Sequence, residues 1–205
     1  MRRYLFPLIV TGLLLAFSLG NAYAAAPAAA KQCESCHGAN GVSTHEHIPV
    51  IAGMSAFYLD GEIQAYKKGL RPCPKTKFPD DASKPATDMC DIAKKLSAAD
   101  ASAVNKYFEA QKFVARDQKF DAAAAAKGKV IHTTECELCH TDGGSEAMDD
   151  AGILAGQWIP YLQETFKEYQ SGKRTVPEKM KPKIMALKPD QVNDLIQFYA
   201  SEGKK

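Results

Sequence analysis

Apolar residues recur along the chain at steps of three and four, and no stretch of useful length alternates residue by residue, which predicts helices rather than strands. Tyr58, Leu59, Glu62, Ile63 and Tyr66 keep that spacing and stop at Gly69, while Tyr161, Leu162, Thr165, Phe166 and Tyr169 keep it and stop at Gly172. A glycine just past the last periodic residue is a helix C-terminal signal. Ser97 and Asp100 form a capping arrangement before a helix with Val104, Tyr107 and Phe108. Pro189 and Asp190 open its counterpart with Val192, Leu195, Ile196 and Tyr199. Asp121 heads an alanine-rich run through Val130. The expected class is all-α.

These elements come in two copies. Adding 103 to Cys33, Cys36 and His37 gives Cys136, Cys139 and His140, and the same offset relates Gly41 to Gly144, Ala52 and Gly53 to Ala155 and Gly156, Tyr58 to Tyr161, Tyr66 to Tyr169 and Arg71 to Arg174. Register holds without a gap over 39 positions. Beyond Arg71 the offset becomes 91, relating Met89 to Met180, Leu96 to Leu187, Val104 to Leu195, and Tyr107 with Phe108 to Phe198 with Tyr199. The difference between the offsets places 12 extra residues in the first copy, between its arginine and its methionine. Two tandem domains are expected, at 25–113 and 122–205, joined by a linker at 114–121 whose Arg116, Asp117, Gln118 and Lys119 predict a solvated connection.

Composition is that of an ordinary globular protein, 45% hydrophobic and 24% charged over 205 residues, so each copy buries only a modest core unaided. Met1 to Arg3, an apolar stretch from Leu5 to Leu19 and Ala22-Tyr23-Ala24 make the three parts of a secretory signal, with cleavage expected after Ala24 and export to the periplasm. Arg2 and Arg3 lie in that segment, and their removal leaves 24 basic residues against 24 acidic ones. A formally neutral chain lacks the basic stripe that nucleic-acid binding needs.

The chemistry resides in Cys33-Glu-Ser-Cys36-His37 and Cys136-Glu-Leu-Cys139-His140. In C-x-x-C-H on a helical turn, two thiols can form thioethers with the vinyl groups of one haem while the histidine lies under the iron. C-x-x-C alone also serves redox thiols and zinc sites. A zinc site does not require a methionine at a matched downstream position, whereas haem iron needs a sixth ligand, and a thioether suits both oxidation states. The expected iron ligands are therefore His37 with Met89 and His140 with Met180. Met185, in Lys183 to Leu187, fits the core face of a helix and has no repeat partner, which favours Met180 over it.

Other groups carry weaker signals. His45, Glu46 and His47 form a loop cluster with no third ligand in view, the ordinary pattern of surface residues. His132 reads as a helix-surface residue. A basic run of Lys67, Lys68, Arg71, Lys75 and Lys77 contrasts with Glu135, Glu137, Asp142, Glu146, Asp149 and Asp150 around the second motif, an asymmetry suited to steering different redox partners.

With these motifs, Ile51-Ala52-Gly53, the stretch Ile153 to Leu162 with its Trp158 and Pro160, Glu178-Lys179-Met180 and the closing Gln197 to Ser201, the chain resembles the tandem dihaem cytochromes c. These include cytochrome c-four and the cytochrome subunit of flavocytochrome c sulfide dehydrogenase, which the second half resembles most. The resemblance implies two class I cytochrome c folds related by a pseudo-twofold and two covalently bound haem c groups. It implies an electron-transfer role without a catalytic residue on this chain, as a partner of a flavoprotein sulfide dehydrogenase subunit or as a free carrier. Small cytochromes or a terminal oxidase would be its other partners, with peripheral association with the membrane. A catalytic dihaem enzyme would need an open iron, which two methionines argue against. The first half departs from the subunit's pattern between Pro72 and Asp88, where Cys73 and Cys90 bracket the extra residues. A disulfide between them is expected in an oxidising compartment, holding the Met89 loop.

Overall fold

The computed structural model of the chain describes residues 26–79 and 81–203, so the export segment lies outside the described residues. The first half consists of α1 (Ala28–His37), α2 (Ala56–Lys67), α3 (Met89–Lys95) and α4 (Ala98–Glu109). The second consists of α5 (Ala122–Glu135), the kinked turn α6 (Thr141–Gly144), α7 (Ile159–Gln170), α8 (Lys181–Ala186) and α9 (Pro189–Glu202). Short 3₁₀ turns follow each C-x-x-C-H motif, at Ala39–Gly41 and Ala147–Asp149. The only extended pairing among the described residues is two isolated bridges, Thr76 with Thr87 and Phe78 with Asp81.

The helix ends follow the sequence. Ser97 Oγ accepts from Asp100 N at 3.1 Å at the start of α4, and Asp121 accepts from Ala123 and Ala124 at the start of α5. Pro189 occupies the first turn of α9, where its missing N–H loses no helical bond. In the first half α1 packs on α4, and α2 on α3 and α4; in the second α5 packs on α9, and α7 on α8 and α9. The α5/α9 contact depends on Gly128, because a Cβ there would stand 1.9 Å from the Asp194 carbonyl oxygen.

The repeat is legible in the backbone bonds. Gly41 O accepts from Ile51 N and Ala52 N at 2.9 and 3.2 Å, and Gly144 O accepts from Leu154 N and Ala155 N at 2.8 and 3.1 Å. Gly53 N donates to Phe108 O and Gly156 N to Tyr199 O, at 2.8 and 2.7 Å. Two cores result. Met54, Leu59, Val104 and Phe108 centre the first, which also takes in Ile153 from the other half; Leu162, Phe166, Leu195, Ile196, Phe198 and Tyr199 centre the second.

The extra residues of the first half form a strap. Thr76 and Thr87 exchange backbone bonds at 2.7 and 3.0 Å, Cys73 and Cys90 are joined as a disulfide, and Lys75 Nζ sits 2.7 Å from both Asp88 and Asp91. Met89, the first residue of α3, stands between two of these anchors.

Residues 112–121 have no regular structure, but they are not a solvated connection as their polarity suggests. Arg116 donates to Ser43 O at 2.9 Å and lies over the Trp158 ring. Gln118 Nε2 donates to Gln157 O at 2.6 Å, and its Oε1 accepts from Ile159 N at 2.9 Å. Only Asp117 and Lys119 of the polar four face water. The side chains of the connection are used to fasten one half to the other.

Gly128→Ala places a methyl against backbone that cannot move aside. We expect thermal unfolding of the holoprotein to show a loss of about 1–3 kcal/mol or more, the range for overpacking in a dense contact, and a melting temperature equal to the parent's would contradict the close approach of α5 to α9.

Candidate haem sites

Cys33, Cys36 and His37 close α1, so the first motif is helical and its thiols and imidazole share one turn. All three, with Met89, line a cavity of about 230 Å³ whose walls include Ile48, Met54, Leu59, Ile63, Leu96, Val104 and Phe108. His37 is buried, and its Nδ1 lies 2.9 Å from Pro49 O. That bond fixes Nδ1 as the protonated nitrogen and leaves Nε2 with its lone pair, the form a metal ligand needs. Burial lowers the tendency of His37 to take a second proton and pushes the Cys33 thiol up to about 11. The Cys33 thiol therefore stays protonated rather than acting as a redox thiolate.

The cavity ends on a polar cluster that straddles the two halves. Arg71, from the first half, and Arg174, from the second, both donate to Glu62, the latter at 2.9 Å to Oε1. Each guanidinium also lies 4.5 Å from the centre of its own repeat's tyrosine, Arg71 over Tyr66 and Arg174 over Tyr169. Burial raises both tyrosines to about 12. Burial opposes the charge on both arginines, and the surrounding phenols and Glu62 outweigh it, so both remain cationic. Arg71 Nε and Arg174 Nη1 are buried without a partner among the described residues.

This donor set fits a haem c. Cys33 and Cys36 would form the thioethers, His37 and Met89 would ligate the iron, the apolar walls would take the porphyrin, and the unpartnered Nε of Arg71 would meet a carboxylate. When bound, the group would supply a one-electron couple, its iron held by His37 and Met89.

The second motif is arranged differently. α5 stops at Glu135, and the motif follows beyond the helix end as a separate turn closed by the bond from His140 N to Cys136 O at 3.0 Å, so the helical turn expected from the spacing stands apart from α5. Local bonds account for the break: Glu137 N reaches back five residues to His132 O at 2.9 Å, and the Thr134 hydroxyl bonds back to Val130 O and Ile131 O. Cys136 and Met180 both pack on the second core, Cys139 is exposed and His140 is half-buried. Met185 is 53% exposed, and Ile184 instead supplies the core face of α8, which corrects the core role expected for Met185.

Several surface readings change. His132 is 1% exposed, not on the helix surface, with Nδ1 3.1 Å from Tyr199 Oη and Nε2 2.5 Å from Glu137 Oε2. Its repeat position holds Ala29, so no symmetry signal marked it. The basic run is not a free positive face: the Arg71 side chain is 9% exposed and paired with Glu62, Lys67 Nζ donates to Leu96 O, and Lys75 is ion-paired. Around the second motif, Glu135 pairs with Lys183 and Asp149 accepts from Thr141. His45 and His47 lie 6.0 Å apart between ring centres and gather no third ligand. Sequence reasoning missed Glu62 as a bridging group, since its repeat counterpart is Thr165; the paired Arg71 and Arg174 were its available signal.

Glu62→Gln leaves two buried guanidiniums without their shared carboxylate. We expect urea unfolding to show a loss of about 3–5 kcal/mol, the usual consequence of removing one partner of a buried pair. Glu168, also in the cavity wall, has its carboxyl raised by burial above the ordinary 4.5. The folded state then holds this proton to higher pH than the unfolded chain does, so the contribution of Glu168 to stability is greatest below 4.5 and declines as pH rises through the folded value. Glu168→Gln should therefore be more stable than the parent at neutral pH, with the difference vanishing below 4.5; a gap of equal size at every pH would contradict it.

Residues 23–112 match the Cytochrome c family. Cytochrome c4 of Azotobacter vinelandii is 29% identical over 180 residues, 82% of this chain and 83% of that protein. A thiosulfate dehydrogenase electron acceptor of Thiomonas intermedia (strain K12) is 28% identical over 163 residues, 75% of this chain and 69% of that one. Among solved structures, cytochrome c4 of Acidithiobacillus ferrooxidans superposes with a TM-score of 0.66 at 26% identity, covering 83% of this chain and 99% of that one. By fold the chain is similar to cytochrome c4, with two class I cytochrome c domains, and that likeness implies two covalently bound haem c groups.

Proposed function

We infer that this chain is a periplasmic dihaem carrier that takes single electrons from an oxidoreductase and passes them through both of its haems to an outside acceptor. The observation that carries the reading is the cavity running from Cys33, Cys36, His37 and Met89 to the Arg71, Glu62 and Arg174 cluster shared by both halves. An electron entering one half meets the other across buried, charged contacts and not across solvent. His37 and Met89 would hold one iron, His140 and Met180 the other. Thioether ligation in both keeps each site closed to substrate, which suits transfer and not catalysis.

The likeness to cytochrome c4 and to a thiosulfate dehydrogenase electron acceptor favours a soluble carrier serving a sulfur-compound dehydrogenase over a subunit bound to a flavoprotein. The tryptophan and proline stretch that most resembles the sulfide dehydrogenase subunit has internal work here. Trp158 Nε1 donates to Ser43 O at 3.3 Å, and Pro160 lies in the first turn of α7. The exported location rests on the three-part leader and on the Cys73–Cys90 disulfide.

Protein from a host that matures c-type cytochromes should weigh two haems more than its processed chain. Met89→Ala and Met180→Ala should each remove the methionine-linked absorption band from one haem and lower that haem's potential, while Met185→Ala should change neither. Rapid mixing with a reduced thiosulfate dehydrogenase should reduce both haems. Reduction by a sulfide-oxidising flavoprotein alone would restore the flavocytochrome reading.

A further inference from the structure

The proximal side of the first haem motif is braced from the other half of the molecule. The peptide joining Pro49 to Val50 is a single rigid plane. Its oxygen lies 2.9 Å from His37 Nδ1, and its N–H donates to Gln157 Oε1 at 3.2 Å. Gln157 Nε2 donates in turn to Val50 O at 2.7 Å. Gln157 and Val50 are both fully buried. The side-chain amide thus pairs with Val50 as an adjacent strand would, although it comes from 107 positions away.

Gln157 is itself held. Its N–H donates to Leu154 O at 3.1 Å, and its carbonyl accepts from Gln118 Nε2 at 2.6 Å, with Gln118 Oε1 bound by Ile159 N. The brace runs one way only: the repeat position of Gln157 is Met54, whose side chain has no amide to offer in return.

We propose that Gln157 is a positioning residue through which the second half sets the orientation and basicity of His37, and so the potential of the first haem. The inference rests on the reading of His37 as an iron ligand. Two effects act together. Rotation of the Pro49–Val50 plane would move the oxygen off Nδ1, and Gln157 prevents it. The acceptor on the N–H also polarises the carbonyl of the same peptide, strengthening the bond from Nδ1. A stronger bond at Nδ1 makes the imidazole a better donor to ferric iron, which lowers the potential. The second haem has no such brace from Met54.

The test uses the holoprotein carrying Gln157→Met, which keeps the side chain's bulk and removes both of its polar atoms. The two potentials are followed separately through the shifted methyl signals of the axial methionines in NMR during a redox titration. The first haem should become easier to reduce by about threefold in its equilibrium constant, roughly 30 mV at 59 mV per tenfold for one electron, with the second unchanged. No change at the first haem, or an equal change at both, overturns the proposal. Should the variant fail to assemble, amide exchange in the unaltered holoprotein decides: the Val50 N–H must be among the slowest of residues 42–52, and rapid exchange overturns the brace. A wild-type chain without haem would sink the underlying reading instead, and is seen from its colour before either experiment.

Discussion

The two halves are held in register by one carboxylate between two buried guanidiniums. Arg71 and Arg174 are repeat counterparts, each stacked on its own tyrosine, and their like charges oppose each other across the pseudo-twofold. Glu62 resolves that opposition by accepting from both, and it is present on one side only. A buried cation is tolerated where its charge and its donors are matched. Glu62 is the carboxylate that both arginines bond, with Glu168 near enough to act on both, and nitrogens on both arginines remain without partners among the described residues. The cavity that begins at the first C-x-x-C-H motif ends at Arg71 in this same cluster. The carboxylates of a haem in that cavity would bring further negative charge to Arg71, so cofactor binding and the docking of the halves would draw on one set of charges.

That arrangement explains why neither half has an ample core. The first core is small enough to recruit Ile153 from the other half. Linker side chains that look destined for water turn inward, Arg116 to Ser43 and Gln118 to Gln157 and Ile159. A porphyrin adds apolar area that the chain does not supply, and its covalent attachment makes that addition permanent.

Much of this was legible in the sequence because it repeats. The offset of 103 identified the turn glycines, the tyrosines and the arginines, and the backbone bonds of Gly41 and Gly144, or of Gly53 and Gly156, are the same bonds made twice. The helices followed from spacing and caps, as at Ser97 and Asp121. What the repeat could not show is what occurs once. Glu62 faces Thr165 across the repeat, His132 faces Ala29, and Gln157 faces Met54. Each reads as an ordinary surface or core residue until its partner, distant in sequence, is placed beside it. The linker misled for the same reason: polarity predicts exposure only when no buried carbonyl is near enough to bind. At the second motif, spacing alone predicted a helical turn. The back-bonding of Thr134 and the reach of Glu137 N to His132 O mark the end of α5 just before Cys136, so that turn, closed by His140 N on Cys136 O, is detached from the helix.

The single-copy features also bear on direction. Two identical halves would give two equal irons and no preferred path between them. Each departure from symmetry lies beside one site. The disulfide, Lys75 and the Thr76–Thr87 bridge surround Met89 on the distal side of the first site, and Gln157 braces the peptide behind His37 on its proximal side. At the second, buried His132 connects Tyr199 to Glu137 within the C-x-x-C-H motif itself. A chain that doubles a module and then constrains only one copy's proposed iron ligands, His37 and Met89, from both sides would acquire unequal sites. Unequal sites are what turn a store for two electrons into a relay.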